Sequence, residues 1–133
     1  MGFIIDSSVF IAVEREELDL AEIVQRVGDE PIAVAAITAS ELLHGVHRGR
    51  GQRQKAKRSA FVEGILSRLT VLDFNLRVAR AHAQLWASRA SKGKSIGAHD
   101  LQIAATALAH DLTVATHDAR SFPTITEIKS VLW

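Results

Sequence analysis

The 133 residues are 47% hydrophobic and 23% charged, the balance of a globular chain and not of a disordered one. Sixteen basic residues against fifteen acidic ones leave a net charge of +1, which selects no partner by charge alone. The absence of cysteine excludes a disulfide framework and any thiolate ligand or nucleophile. No apolar run approaches the ~20 residues that a membrane-spanning helix needs, so a single soluble domain over residues 1–133, cytoplasmic and without a membrane role, is expected.

In chain order, Phe3–Asp6 reads as a short buried strand, followed by a helix over Ser7–Val13. A second helix is predicted over Leu20–Val27, stopped by Gly28 and Pro31, before a strand at Ile32–Ala35. Thr38 is expected to open a helix reaching about Gly49, Arg48–Gln54 to form a turn or a loosely held helix entry, and Gln54–Leu69 to form a helix with Phe61, Ile65 and Leu69 on one stripe. Val71–Asp73 reads as a third strand and Leu76–Ala90 as a helix, with Ser91–Gly97 a flexible loop. Ala98–His110 has a strong helical pattern, Thr113–Thr116 reads as a fourth strand, and Glu127–Leu132 adds an edge strand. Strands alternate with helices and no hairpin signal intervenes. The pattern predicts an α/β fold in which a short parallel sheet of about four to five strands is flanked by helices.

Four acids fall at strand ends or early in helices: Asp6, Glu41, Asp100 and Asp118. In an open parallel sheet these positions share one rim, where ligands bind. Each has an ordinary alternative. Asp6 could cap the first helix. Glu41 closes Thr38-Ala39-Ser40-Glu41, a capping-box pattern. Asp100 suits a first helical turn, and Asp118 could cap a short turn at Ala119–Phe122. As a set they point elsewhere. Carboxylates crowded in a crevice repel one another and resist ionisation on burial, and a divalent cation offsets both effects. Metal-dependent chemistry on an anionic substrate is the leading expectation.

The same segments carry a family resemblance. Phe3-Ile4-Ile5-Asp6-Ser7-Ser8, Thr38–Val46, Gly97–Ala105 and Val114-Ala115-Thr116-His117-Asp118 resemble, in order, the four acidic motifs of PIN-domain nucleases. The nearest subgroup is the VapC-type toxin of bacterial toxin–antitoxin pairs. The resemblance spans essentially the whole chain. It implies a PIN-like three-layer fold and a Mg²⁺- or Mn²⁺-dependent endoribonuclease acting on transfer or ribosomal RNA. Asp6, Glu41, Asp100 and Asp118 are implied as catalytic and metal-binding residues, with Ser7 and Thr116 supporting them. A neutralising VapB-type antitoxin, a homodimer and a heterotetramer or larger complex with the antitoxin are implied as well. One position departs: Ser121 stands where many relatives carry a further acid before the phenylalanine matched by Phe122.

Basic residues concentrate at 48–58, and Arg50, Arg53 and Lys57 fall on one side of an ideal helix, suited to RNA phosphates. Lys92 and Lys94 could add a mobile clamp; an ordinary solvated face is the alternative for the whole set. Zinc chemistry is disfavoured, because His44 and His47 lack the His-Glu-x-x-His pattern. His99 and His117 each precede a candidate acid and could touch substrate, whereas His82 reads as a core or interface residue. A metal-dependent phosphatase or phosphotransferase is a rival class, although Ser8 stands where a second Asp is common in such enzymes. A PIN domain that holds RNA without cutting it is a second rival, which the presence of all four acids disfavours.

Overall fold

The computed structural model describes residues 2–133. Its elements are β1 (Gly2–Ile5), α1 (Ser7–Glu14), α2 (Leu20–Val27), β2 (Ile32–Ala35), α3 (Ala36–His47), α4 (Gly51–Arg68), β3 (Thr70–Leu72), α5 (Leu76–Ser91), α6 (Ala98–His110), β4 (Leu112–Thr116) and β5 (Lys129–Leu132). The five strands form one sheet in the order β3-β2-β1-β4-β5. Every pairing is parallel, with Ile5 beside Ala115 and Ala33 beside Thr70. The predicted α/β fold is the one found.

Successive side chains of a strand face opposite sides, and the strands here are apolar on both. Ile4, Ala35 and Val114 pack with Val78, Leu85, Leu101 and Phe122 under α5 and α6. Ile5, Val34 and Ala115 pack with Val9, Phe10, Ile23, Leu42 and Val62 under α1 to α4. The sheet is the middle layer of three. The connection from β1 runs outward to β2, while β4 lies on its other side. The switch point of the sheet therefore lies between the carboxyl ends of β1 and β4, the place where open α/β sheets bind ligands.

Several boundaries differ from expectation, three of them for reasons visible in the packing. Helix α3 starts at Ala36, directly off β2, and not at Thr38. Thr38 is 0% exposed and its Oγ1 has no hydrogen-bond partner, so its side chain is turned into the core and caps nothing. The turn before α4 shrinks to 48–50, because Gly51 enters the helix with φ +76°, a conformation that glycine adopts freely. Strand β3 begins one residue early, at Thr70, and leaves Val71 exposed on the sheet edge.

Gly2 is required by space and not by backbone angle. A Cβ there would lie 2.7 Å from the Pro31 carbonyl oxygen and 3.0 Å from Leu112 Cδ2. Gly2→Ala must push β1 away from its neighbours. It is expected to cost about 1–3 kcal/mol, the range for overpacking, read as a lowered midpoint in urea unfolding with unchanged slope. An unchanged midpoint would show that the strand yields freely at its start.

Candidate active site

Asp6 follows β1 immediately, and its backbone N–H donates to the Ala115 carbonyl of β4 at 2.9 Å, so it is anchored at the switch point. It stands at the N-cap position of α1, yet its carboxylate makes no capping bond to that helix. Oδ2 instead accepts from Ser8 Oγ at 2.6 Å and from Thr116 Oγ1 at 3.0 Å. The carboxylate is aimed across the sheet end and away from the helix backbone, contrary to the capping alternative. Asp6 is buried, and no lysine or arginine among the described residues pairs with it.

Glu41 is the sixth residue of α3, a turn further in than a capping box allows. Its Oε1 accepts weakly from Ser7 Oγ at 3.5 Å, and its Oε2 lies 3.5 Å from His99 Nδ1. Burial pushes the Glu41 carboxyl above its ordinary range, and the charge of Asp6 pushes it further; His99 pulls the other way. Asp100 sits in the first turn of α6, whose N-cap, Gly97, provides no side-chain bond. Its carboxyl is also raised, first by burial and then by Asp6, while a hydrogen bond donated by Ser121 opposes the rise. The charge of Asp6 thus raises the cost of ionising both Glu41 and Asp100.

Asp118 differs. It closes a turn, accepting at Oδ1 from the Arg120 N–H at 2.9 Å and from Arg120 Nε at 3.3 Å. The Arg120 backbone bond holds its carboxyl below the ordinary range, helped by the guanidinium. It is near enough for its charge to raise Asp100. Its own N–H donates to Thr116 Oγ1 at 3.0 Å, which ties it to the hydroxyl that serves Asp6.

The expected supporting residues, Ser7 and Thr116, are both buried; Thr116 meets Asp6 and Ser7 meets Glu41. Ser8 has a role that its place in the sequence did not suggest. It donates the shorter bond to Asp6 and accepts the His117 N–H at 2.9 Å, so one hydroxyl spans β1 and β4. The available signal was position: a serine two residues past an N-cap carboxylate can reach back to it. His99 borders Glu41, but His117 turns away, its ring at 2.5 Å from the Trp133 carbonyl oxygen and 3.8 Å from Glu17.

Of the expected RNA-binding residues, Arg50, Arg53 and Lys57 lie at the start of α4, and all three are exposed. Arg50 lines a cleft of about 490 Å³ that also contains Arg15, Arg48, Arg58 and Glu41. Lys92 pairs with Glu127 at 3.5 Å, whereas Lys94 lies in a separate concavity beside Ser121.

The donor set fits a hard divalent cation: carboxylate oxygens, mutually repelling, with no basic partner on Asp6 or Asp100. Among the described residues no three His, Asp or Glu side chains converge closely enough to encage an ion. Mg²⁺ does not require that, since it keeps several waters and takes one or two carboxylates directly.

Two outcomes follow from this geometry. Ser8→Ala removes a donor to the Asp6 carboxylate and releases the exposed His117 N–H to water, and should cost about 1.5–3 kcal/mol in denaturant unfolding, the range for a hydrogen bond to a charged group; an unchanged stability would mean that water replaces the hydroxyl at no cost. Asp100→Asn should raise the melting temperature of metal-free protein at pH 7. A carboxyl raised in the folded state is destabilising in full above its folded pKa. That penalty disappears as pH falls through the folded value to the unfolded one, about 4. The advantage of the variant should therefore shrink as pH is lowered in EDTA, and an advantage independent of pH would contradict the repulsion.

Residues 3–127 match the PIN domain family. Ribonuclease VapC1 of Rickettsia felis is 33% identical over 125 residues, covering 94% of this chain and 91% of that protein. The tRNA(fMet)-specific endonuclease VapC of Salmonella typhimurium is 33% identical over 102 residues, covering 77% of this chain and 75% of its own length. The crystal structure of DNA-bound VapBC from Salmonella typhimurium superposes with a TM-score of 0.88 at 28% identity, covering 100% of this chain and 98% of that one. With its acids at the switch point of a five-stranded parallel sheet, the chain belongs to the PIN-domain family, among the VapC ribonucleases.

Proposed function

We propose that this protein is a toxin of the VapC type, an endoribonuclease that hydrolyses phosphodiester bonds in RNA with the help of Mg²⁺ or Mn²⁺. The observation that carries this reading is the grouping of Asp6, Glu41 and Asp100, in which the charge of Asp6 raises both other carboxyls and no lysine or arginine among the described residues pairs with the three. Asp6 and Asp100 would hold a divalent ion, with Glu41 and Asp118 in support, and that ion would supply Lewis acidity for phosphodiester hydrolysis.

The chain's own residues set up that chemistry. Ser8 and Thr116 fix one oxygen of Asp6 and leave the other free. Ser121 orients Asp100. One carboxylate of the group, Asp100 or Asp6, would orient the attacking water or accept its proton. Arg50, Arg53, Lys57 and Lys94 hold the RNA backbone; Lys92 joins them by releasing Glu127.

Transfer RNA is the substrate to test first, since the Salmonella relative bears the name tRNA(fMet)-specific endonuclease. A VapB-type antitoxin is the partner, as VapBC complexes are among the similar structures. Exposed apolar side chains are available to it and to a second copy of the chain in a homodimer. They include Ile11, Leu20 and Val24, and, linked through His82, Phe74 and Trp86. Among the described residues no helix is long and apolar enough to cross a membrane, in keeping with a cytoplasmic protein.

The test is incubation of antitoxin-free protein with total RNA and Mg²⁺ or Mn²⁺, beside EDTA and Asp6→Asn controls. Discrete fragments should appear and vanish in both controls, with Asp6→Asn still folded by circular dichroism. Cleavage surviving in EDTA would overturn the metal reading. An unfolded Asp6→Asn would return Asp6 to a structural role.

A further inference from the structure

Arg89 is an anomaly. It lies on α5, where a long cation would ordinarily reach into solvent, yet it is only 6% exposed. Its guanidinium donates from Nη1 to the Thr124 carbonyl and from Nη2 to Thr124 Oγ1, both at 3.3 Å, and its buried Nε–H has no partner. Among the described residues no carboxylate pairs with it. A buried cation without a counter-charge is costly, because desolvation is offset only by a close anion and a full set of hydrogen bonds.

Its surroundings indicate where that anion comes from. Arg89 lines a concavity of about 640 Å³ together with Lys94, Gly97, Arg120, Ser121 and Thr124. No acid lines it. Lys94 is exposed, and the Arg120 side chain is 92% exposed with a single pairing, to Asp118. Gly97 is the N-cap of the 13-residue helix α6, whose first turn receives no side-chain cap from it. Uncapped N–H groups and the positive end of the helix dipole favour an anion. Three cations, hydroxyls and a helix start thus face one space, and the buried, incompletely paired Arg89 adds a demand for negative charge within it.

The concavity also communicates with the acids. Arg89 bonds Thr124 Oγ1, which donates to the Ser121 carbonyl at 2.7 Å, and the Ser121 hydroxyl donates to Asp100. We propose that the concavity between α5, the start of α6 and the turn after Asp118 is a phosphate-binding subsite, with Arg89 at its base and Lys94 and Arg120 at its rim. Resting on the ribonuclease reading above, its occupant is a backbone phosphate of the RNA strand close to the scissile bond. A free phosphate-bearing molecule would offer the same chemistry, and the two sources are separable.

The first measurement is the thermal stability of the full chain in EDTA, titrated with inorganic phosphate against chloride at matched ionic strength. A ligand of the folded state raises the melting temperature with concentration. The rise should be present in the unaltered protein and absent in Arg89→Leu, whose side chain suits a buried helical position. If Arg89→Leu does not fold, the double variant Lys94→Gln/Arg120→Gln carries the test, because both side chains are exposed.

The second measurement is RNA cleavage kinetics. Arg89→Leu should raise KM about tenfold, as expected when a charge-assisted hydrogen bond is removed, with a smaller change in kcat. The slope of log affinity against log salt should fall by about 0.7 for each phosphate on a single strand that the variant no longer neutralises. Neither change is expected of a residue that only fastens α5 to the Thr124 turn.

Loss of phosphate stabilisation with KM unmoved would keep the subsite and assign it to a free phosphate-bearing molecule. Phosphate stabilisation without RNA cleavage by any form of the protein would count against the ribonuclease reading and leave the subsite standing. No stabilisation by phosphate in the unaltered protein, or equal stabilisation in all variants, would overturn the subsite.

Discussion

The site depends on one crossing of the sheet end. Asp6 leaves β1, Thr116 ends β4, and Ser8 returns from the first turn of α1 to bond the same Asp6 oxygen that Thr116 bonds. Ser8 also takes the His117 N–H, and Thr116 takes the Asp118 N–H. Two buried or half-buried hydroxyls therefore hold a carboxylate, two backbone donors and two strand ends in register. Neutral hydroxyls suit this task better than cations. A lysine or arginine in their place would neutralise Asp6 and remove the demand for an external cation that the other acids create.

That demand is graded around the rim. Glu41 and Asp100 feel Asp6 and are raised, while Asp118 is held down by its own turn and by Arg120. The acids are not equivalent in the free protein: three form a repelling group and the fourth is already compensated. Ser121 contributes to this grading. A carboxylate at that position would add charge against Asp100, whereas the serine donates a hydrogen bond to it. The serine softens the repulsion at Asp100, so a cation bound here would be attracted by fewer charges.

Much of this was legible because the central strands are short and mostly apolar. Phe3–Ile5, Ile32–Ala35 and Thr113–Thr116 can lie only in the middle of a layered α/β fold, and the acids that follow two of them then have to share a rim. The capping-box pattern at Thr38–Glu41 misled for a physical reason. A side-chain motif predicts a cap only when the helix starts there, and β2 passes into α3 without a loop, leaving Thr38 inside. Ser8 escaped notice because its partners are 108 and 109 residues away on β4 and just beyond it, a proximity that no local pattern encodes. Arg89 escaped for the opposite reason. An arginine within a run of Ala, Ser and Lys on a helix is ordinarily solvated, and only the packing of α5 against the turn at Thr124 buries it.

The near-neutral total also conceals how the charge is arranged. The acids occupy the switch point, with basic concavities on either side. Arg15, Arg48, Arg50 and Arg58 lie toward α1, α3 and α4, and Arg89, Lys94 and Arg120 lie toward α5 and α6. Glu41 lines the first cleft, and Ser121, the donor to Asp100, lines the second. A polyanion is attracted at both flanks and repelled between them until a cation neutralises the centre. Such a field favours a strand lying across the acids over one approaching end-on, because only the crossing strand meets both flanks. It also separates two tasks that a uniformly basic surface would merge. On the proposed function the flanks would supply affinity, which salt weakens, while the centre would be left short of positive charge, where a metal-assisted reaction needs it.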